Sequence, residues 1–182
     1  MNGDIGALHS RRRVRQGPAQ ALAGRGTSAT AAEPITSSDG ARVHEARLRR
    51  LAVVYLPVFC AGVWLSLRHG VGARPGGDPA QDLPFRGTAF APPLYLPIAL
   101  VGAAAFSARG DALGTSATAV AALIGLAFTA GTTLNLSHDI AATRAAGASV
   151  NLTVGIAAFH WAFGPTLTVF SFLALRQPRR AR

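Results

Sequence analysis

From Val150 to Leu175 the chain carries no arginine and no acidic residue. A helix of that length crosses a ~30 Å hydrocarbon core, and soluble folds seldom contain so long a run without ionised groups. Three further stretches share the property: Leu51 to Leu67, Ala89 to Ala108 and Thr115 to Ser137. All 8 acidic residues and all 18 basic ones, every one of them arginine, lie outside the four. The pattern predicts an all-α membrane protein, a four-transmembrane-helix bundle whose spans are 51–67, 89–108, 115–137 and 150–175.

The chain is 49% hydrophobic and only 14% charged, with a net charge of +10. That charge is gathered in the two tails and not interleaved with aromatics, which argues against nucleic acid as a partner and for anionic lipid headgroups. Richness in Ala, Gly, Arg and Pro without lysine matches a GC-rich bacterial genome. Residues 1–41 hold almost no large apolar side chain, so they form a disordered, Arg-rich leader. Ser10 to Arg13 begin like a twin-arginine export signal, but the weakly apolar run that follows is broken by Arg25. Val43, at the beginning of the basic segment Arg42 to Arg50, is an alternative start of translation, and 42–182 is the membrane domain. Arg47, Arg49 and Arg50 precede the first span, and Arg176, Arg179, Arg180 and Arg182 follow the last. By the positive-inside rule both ends face the cytoplasm, and the loops after spans one and three face outward across an inner, cytoplasmic membrane.

Within the last span, Thr153, Ala157, His160, Gly164, Thr168 and Ser171 recur at steps of three or four, so one helical face is small and polar. His160 stands on it near mid-membrane, where intramembrane polar residues pair with another helix or line a path. Ala117, Ala121 and Gly125 form a small-xxx-small ladder on span three that allows close backbone approach. The expectation is an antiparallel hairpin of spans three and four, with their small faces together and Gly125 near the depth of His160. A second polar cluster, Asn135, His138 and Asp139 with His69, gathers at the outer rim, where Asp139 also has Arg144 in reach. Gly164 and Pro165 are expected to bend span four, and Tyr55 and Trp64 to sit at the two interfaces.

No nucleotide-binding loop, hydrolase elbow or zinc-like spacing occurs, so no enzyme, cofactor or metal is expected. Haem ligation would need a second histidine at the depth of His160, and His69 and His138 lie at the rim. Two function classes remain. One is a non-enzymatic partner or assembly subunit of a larger membrane complex. The other is a small homo-oligomeric transporter or channel with the stripe of span four on its path.

Overall fold

A computed structural model describes the backbone of residues 37–176 and the side chains of residues 43–176. Among the described residues every regular element is helical: α1 Ser37–His69, α2 Pro79–Asp82, α3 Tyr95–Phe106, α4 Ala112–Ala145 and α5 Val150–Arg176. Three of them, α1, α4 and α5, are long and apolar enough to cross a membrane. Residues 1–36, with the twin-arginine-like segment, and Arg179, Arg180 and Arg182 lie outside the described residues.

The buried positions of α1 are Leu48, Ala52, Tyr55, Phe59, Gly62 and Ser66, at steps of four and three in alternation. That spacing keeps one seam turned toward neighbouring helices packed at a shallow angle. α1 packs against α3 and α5, and α4 packs against the same two, so the four long elements close a ring. Their common core holds Tyr55, Leu100, Ile124, Phe128, Phe163 and Leu167. On the outside, Val53, Trp64, Leu123 and Leu134 are all more than half exposed. Side chains of that size exposed along whole helices suit lipid and not water.

Three boundaries differ from the sequence expectation, each for a local reason. Residues 37–41, assigned to the leader, are the first turn and more of α1. Ser37, Ser38 and Asp39 are residue types that favour helix starts, a signal that composition alone hides. The expected span 89–108 is helical only over Tyr95–Phe106, about 18 Å at the rise of an α-helix. Pro92 and Pro93 supply no N–H, and Thr88 ties the preceding chain into a turn: its N–H donates to Ala91 O at 2.7 Å, and its Oγ1 accepts from Ala91 N at 3.0 Å. The expected loop 138–149 is helical as far as Ala145. The stop is Gly147, at φ 68, where Gly147 N donates to Arg144 O and Ala148 N to Thr143 O. Only glycine takes that conformation without strain, so it fixes the end of α4.

The other end of α4 is set by Asp111, whose carboxylate accepts from Gly114 N at 3.0 Å and from Arg109 Nε at 3.0 Å. Those bonds, the Gly114 amide first, hold its carboxyl below the ordinary carboxylate range. α5 runs unbroken through Gly164 and Pro165.

Between α1 and α3 the chain folds back onto the bundle. Val71, Ala89 and Phe90 are buried with Ala142 near the end of α4, against Leu65, Ala148 and Ile156. Gly62 makes this approach available, since a Cβ there would collide with the Phe90 carbonyl oxygen. Ser66 Oγ, which donates to Gly62 O, lies 2.6 Å from Thr88 Oγ1 and fixes the turn to α1.

Candidate functional site

α3 covers only the half of the ring nearest the start of α4, so the bundle lacks a full fourth helix at its other end. The turn 88–93 fills part of that corner. What remains is a cavity of about 330 Å³, with Leu96 and Phe90 on its walls, Phe128 and His160 among its deeper residues, and Arg86 and Asp139 also lining it.

The cavity is polar because of how the two stripes run. On α4 the inward-facing register passes through Ala121, Gly125 and Phe128, then continues at Thr132, Asn135 and Asp139. The first part meets α3 and α5 and is buried; the second part faces the space that α3 does not reach. On α5 the matching positions are Thr153, Ala157 and His160, all buried and all lining the same cavity. Residues expected in two separate clusters, Thr153 and His160 in one and Asn135 and Asp139 in the other, therefore share one site.

His160 is anchored from two sides. Its Nε2 lies 3.2 Å from Tyr55 Oη, and its ring stacks on Phe128 with centroids 5.4 Å apart and planes 6° from parallel. Tyr55 is fully buried and also stacks on Phe163, centroids 4.8 Å apart. This corrects the interfacial position expected for Tyr55. The alternating seam of α1 carried the signal, because Tyr55 falls on the same face as Ala52 and Phe59. Trp64 is exposed, as a lipid-facing ring would be, with the Arg68 guanidinium 5.1 Å from its centroid.

Hydrogen counting assigns the tautomer. Among the described residues the Tyr55 hydroxyl has one hydrogen-bond partner, His160 Nε2. A buried hydroxyl hydrogen needs an acceptor, so the tyrosine donates and Nε2 is the unprotonated nitrogen. The ring proton then sits on Nδ1. At the opposite end of the stripe, Thr143 Oγ1 donates to Asp139 O at 2.7 Å, which leaves the Thr153 hydroxyl to donate to Thr143 Oγ1 at 2.8 Å.

The rest of the α5 stripe has a different use. Gly164 meets Gly125: a Cβ on either would stand 2.6 Å from the other's carbonyl oxygen. Gly125 is thus level with Gly164, about one turn beyond His160, which is level with Phe128. Thr168 Oγ1 donates to Gly164 O at 2.9 Å, and Ser171 Oγ to Leu167 O at 2.8 Å. Both hydroxyls are satisfied by their own helix, and Thr168 Oγ1 also reaches Ala122 O of α4 at 3.4 Å. Ala117 and Ala121 are buried along the same α4 seam.

Three other residues fall away from the site. His69 ends α1 exposed to the surroundings, His138 is exposed on α4, and neither lines the cavity. Cys60 is exposed on α1, on a face that Tyr55 does not share, so it makes no pair with His160. Among the described residues Asp139 forms no ion pair with Arg144; ion pairs there include Arg86–Asp82, 3.6 Å, and Arg109–Asp111, 2.9 Å.

Asp82 lies in the segment between α1 and α3, where Pro75, Gly76, Gly77, Pro79 and Pro84 signal turns in the sequence without singling it out. It is buried, its Oδ2 accepts from Ala73 N at 2.9 Å, and its backbone carbonyl accepts from Arg86 N and Gly87 N. Gly72 and Gly77 crowd the same carboxylate so closely that a Cβ on either would lie within 2.7 Å of Oδ2. Among the described residues no three His, Cys, Asp or Glu side chains group as a metal site. Comparison with protein-family models, curated proteins and solved structures finds no match for the chain.

Proposed function

We propose that the chain is a non-enzymatic integral membrane protein that binds a small solute at one face of the bilayer and acts as a subunit of a larger assembly. The observation that carries this reading is the 330 Å³ cavity that gathers His160, Thr153, Asn135 and Asp139. Ligand sites in helical bundles are of this kind, apolar walls with a few convergent polar groups.

In this reading the chain crosses a bacterial cytoplasmic membrane four times. The second crossing element is α3 together with the buried turn before it, and the irregular backbone is acceptable at that depth because it rests on α1 and not on lipid. Arg47, Arg49, Arg50 and Arg176 mark the cytoplasmic side, where they meet anionic headgroups, and the cavity opens on the opposite side.

A subunit role is favoured over a monomeric channel by the packing beyond His160. Tyr55, Phe128 and Phe163 close the cavity floor, and the hydroxyls of Thr168 and Ser171 are spent on α5's own carbonyls. A path through one copy would have to cross that core. The test is proton flux in proteoliposomes, followed with a pH-sensitive dye, for wild type and His160→Ala. The expected result is no histidine-dependent flux. Flux that vanishes in the variant would make the protein a transporter with His160 on its path.

A further inference from the structure

The cavity has two chemically different ends, and they define what it accepts. Resting on the reading of the cavity as a binding site, we infer that its ligand is an elongated amphipathic amine: protonated nitrogen at the mouth, an apolar middle, and a hydrogen-bond acceptor such as a carbonyl or sulfonyl oxygen at the deep end.

The deep end is set by His160. Since Tyr55 donates to Nε2, the proton on Nδ1 is the ring's remaining hydrogen-bonding capacity, and among the described residues nothing accepts it. A group arriving there must offer an acceptor. Phe128, Leu96, Ile156 and Phe90 surround the space above it, which suits an aryl or alkyl segment. Asn135 and Asp139 stand two and three turns along α4 from Phe128, about 10 and 16 Å away by helical rise.

The charge at the mouth is unbalanced. Arg86 lines the cavity but is held by Asp82 at 3.6 Å, while Asp139 has no ion-pair partner among the described residues. The exposed His138 is the next residue on α4 and is absent from the lining. The carboxylate of Asp139 and the amide oxygen of Asn135, one turn apart, are acceptors for an ammonium group, whereas an anionic ligand would sit against the Asp139 carboxylate with the Arg86 guanidinium, shared with Asp82 at 3.6 Å, to offset it.

The experiment uses three fluorescent probes of equal reach: dansylcadaverine, which is cationic, its uncharged dansyl pentylamide, and the anionic dansyl aminohexanoate. Each is titrated into nanodiscs holding the full chain, against empty nanodiscs of the same lipid. The cation should bind roughly ten- to a hundredfold tighter than the anion, the range for one charged hydrogen bond. Asp139→Asn should remove that preference, Asn135→Leu should reduce it, and His160→Phe should weaken all three probes while leaving their order unchanged. An anion that binds as well as the cation, or a preference that survives Asp139→Asn, overturns the amine assignment and leaves a binding cavity in place. Fluorescence no greater than in empty nanodiscs for all three probes overturns both.

Discussion

Gly125 and Gly164 set how near α4 and α5 come. Each has the other's carbonyl oxygen where a Cβ would be, and the threonines beside them, Thr168 and Thr129, leave no lateral room. Backbone cannot swing aside as a long side chain does, so the helices themselves must part. Gly125→Leu and Gly164→Leu should each lower stability by about 1–3 kcal/mol or more, the usual range for overpacking. Gly155, on the same helix, has nothing within 4 Å of its Cβ position. Gly155→Ala should therefore be neutral or stabilise by up to about 1 kcal/mol through helix propensity. Thermal unfolding of the three variants in one detergent checks the contrast, and equal loss in all of them would exclude the close crossing. The facing of the two small stripes was legible in sequence because glycine and alanine at helical spacing leave little else to do. The offset of one turn between Gly125 and His160 was not legible, since register between helices depends on the loop, and Gly147 ends α4 later than hydropathy suggests.

At the scale of elements, the segment between α1 and α3 behaves as a structured cap and not as a loose connection. Asp82 is its centre: one carboxylate oxygen accepts the Ala73 amide, the other faces Arg86 at 3.6 Å, and Gly72 and Gly77 close over it. Asp82→Ala would leave the Ala73 N–H without its partner in a space too small to repack. A buried donor left unpaired costs about 1–3 kcal/mol. Asp82→Asn keeps the shape and an acceptor, so it should recover much of the loss. Amide hydrogen exchange across residues 70–94 should rise sharply in the alanine variant and modestly in the asparagine one, while α4 and α5 stay protected. Exchange unchanged in the alanine variant would mean that the cap is held by Phe90 and Val71 alone. Sequence could not single out Asp82, because Gly and Pro density signals turns without saying which of them are anchored. Nor could it place Tyr55: an aromatic near a span end reads as interfacial until the alternating seam Leu48, Ala52, Tyr55, Phe59 is followed as a unit.

At the scale of the molecule, the mismatch in helix length organises everything else. α4 has 34 residues and α3 only 12, so one corner of the ring is filled by helix near the start of α4 and by an irregular turn near its end. The cavity is the remainder, which is why a polar site arises at one end alone. The same asymmetry makes orientation testable. His44 and Arg47 lie against Phe170 at one end of the bundle, with the Arg47 guanidinium 5.1 Å from the ring, whereas Phe85 is 81% exposed on the cap at the other. In a Cys60→Ser background, cysteine at Phe85 should react with a membrane-impermeant maleimide added to intact cells, and cysteine at Arg176 only after the membrane is opened. Thr132→Cys, on the cavity wall, should follow the Phe85 pattern more slowly, because its access runs past Asn135 and Asp139. Reaction of Arg176→Cys in intact cells would invert the protein and place the cavity on the cytoplasmic side. The amine assignment would survive that result, since it depends on Asp139 and His160, but the solute would then be one that the cell itself supplies.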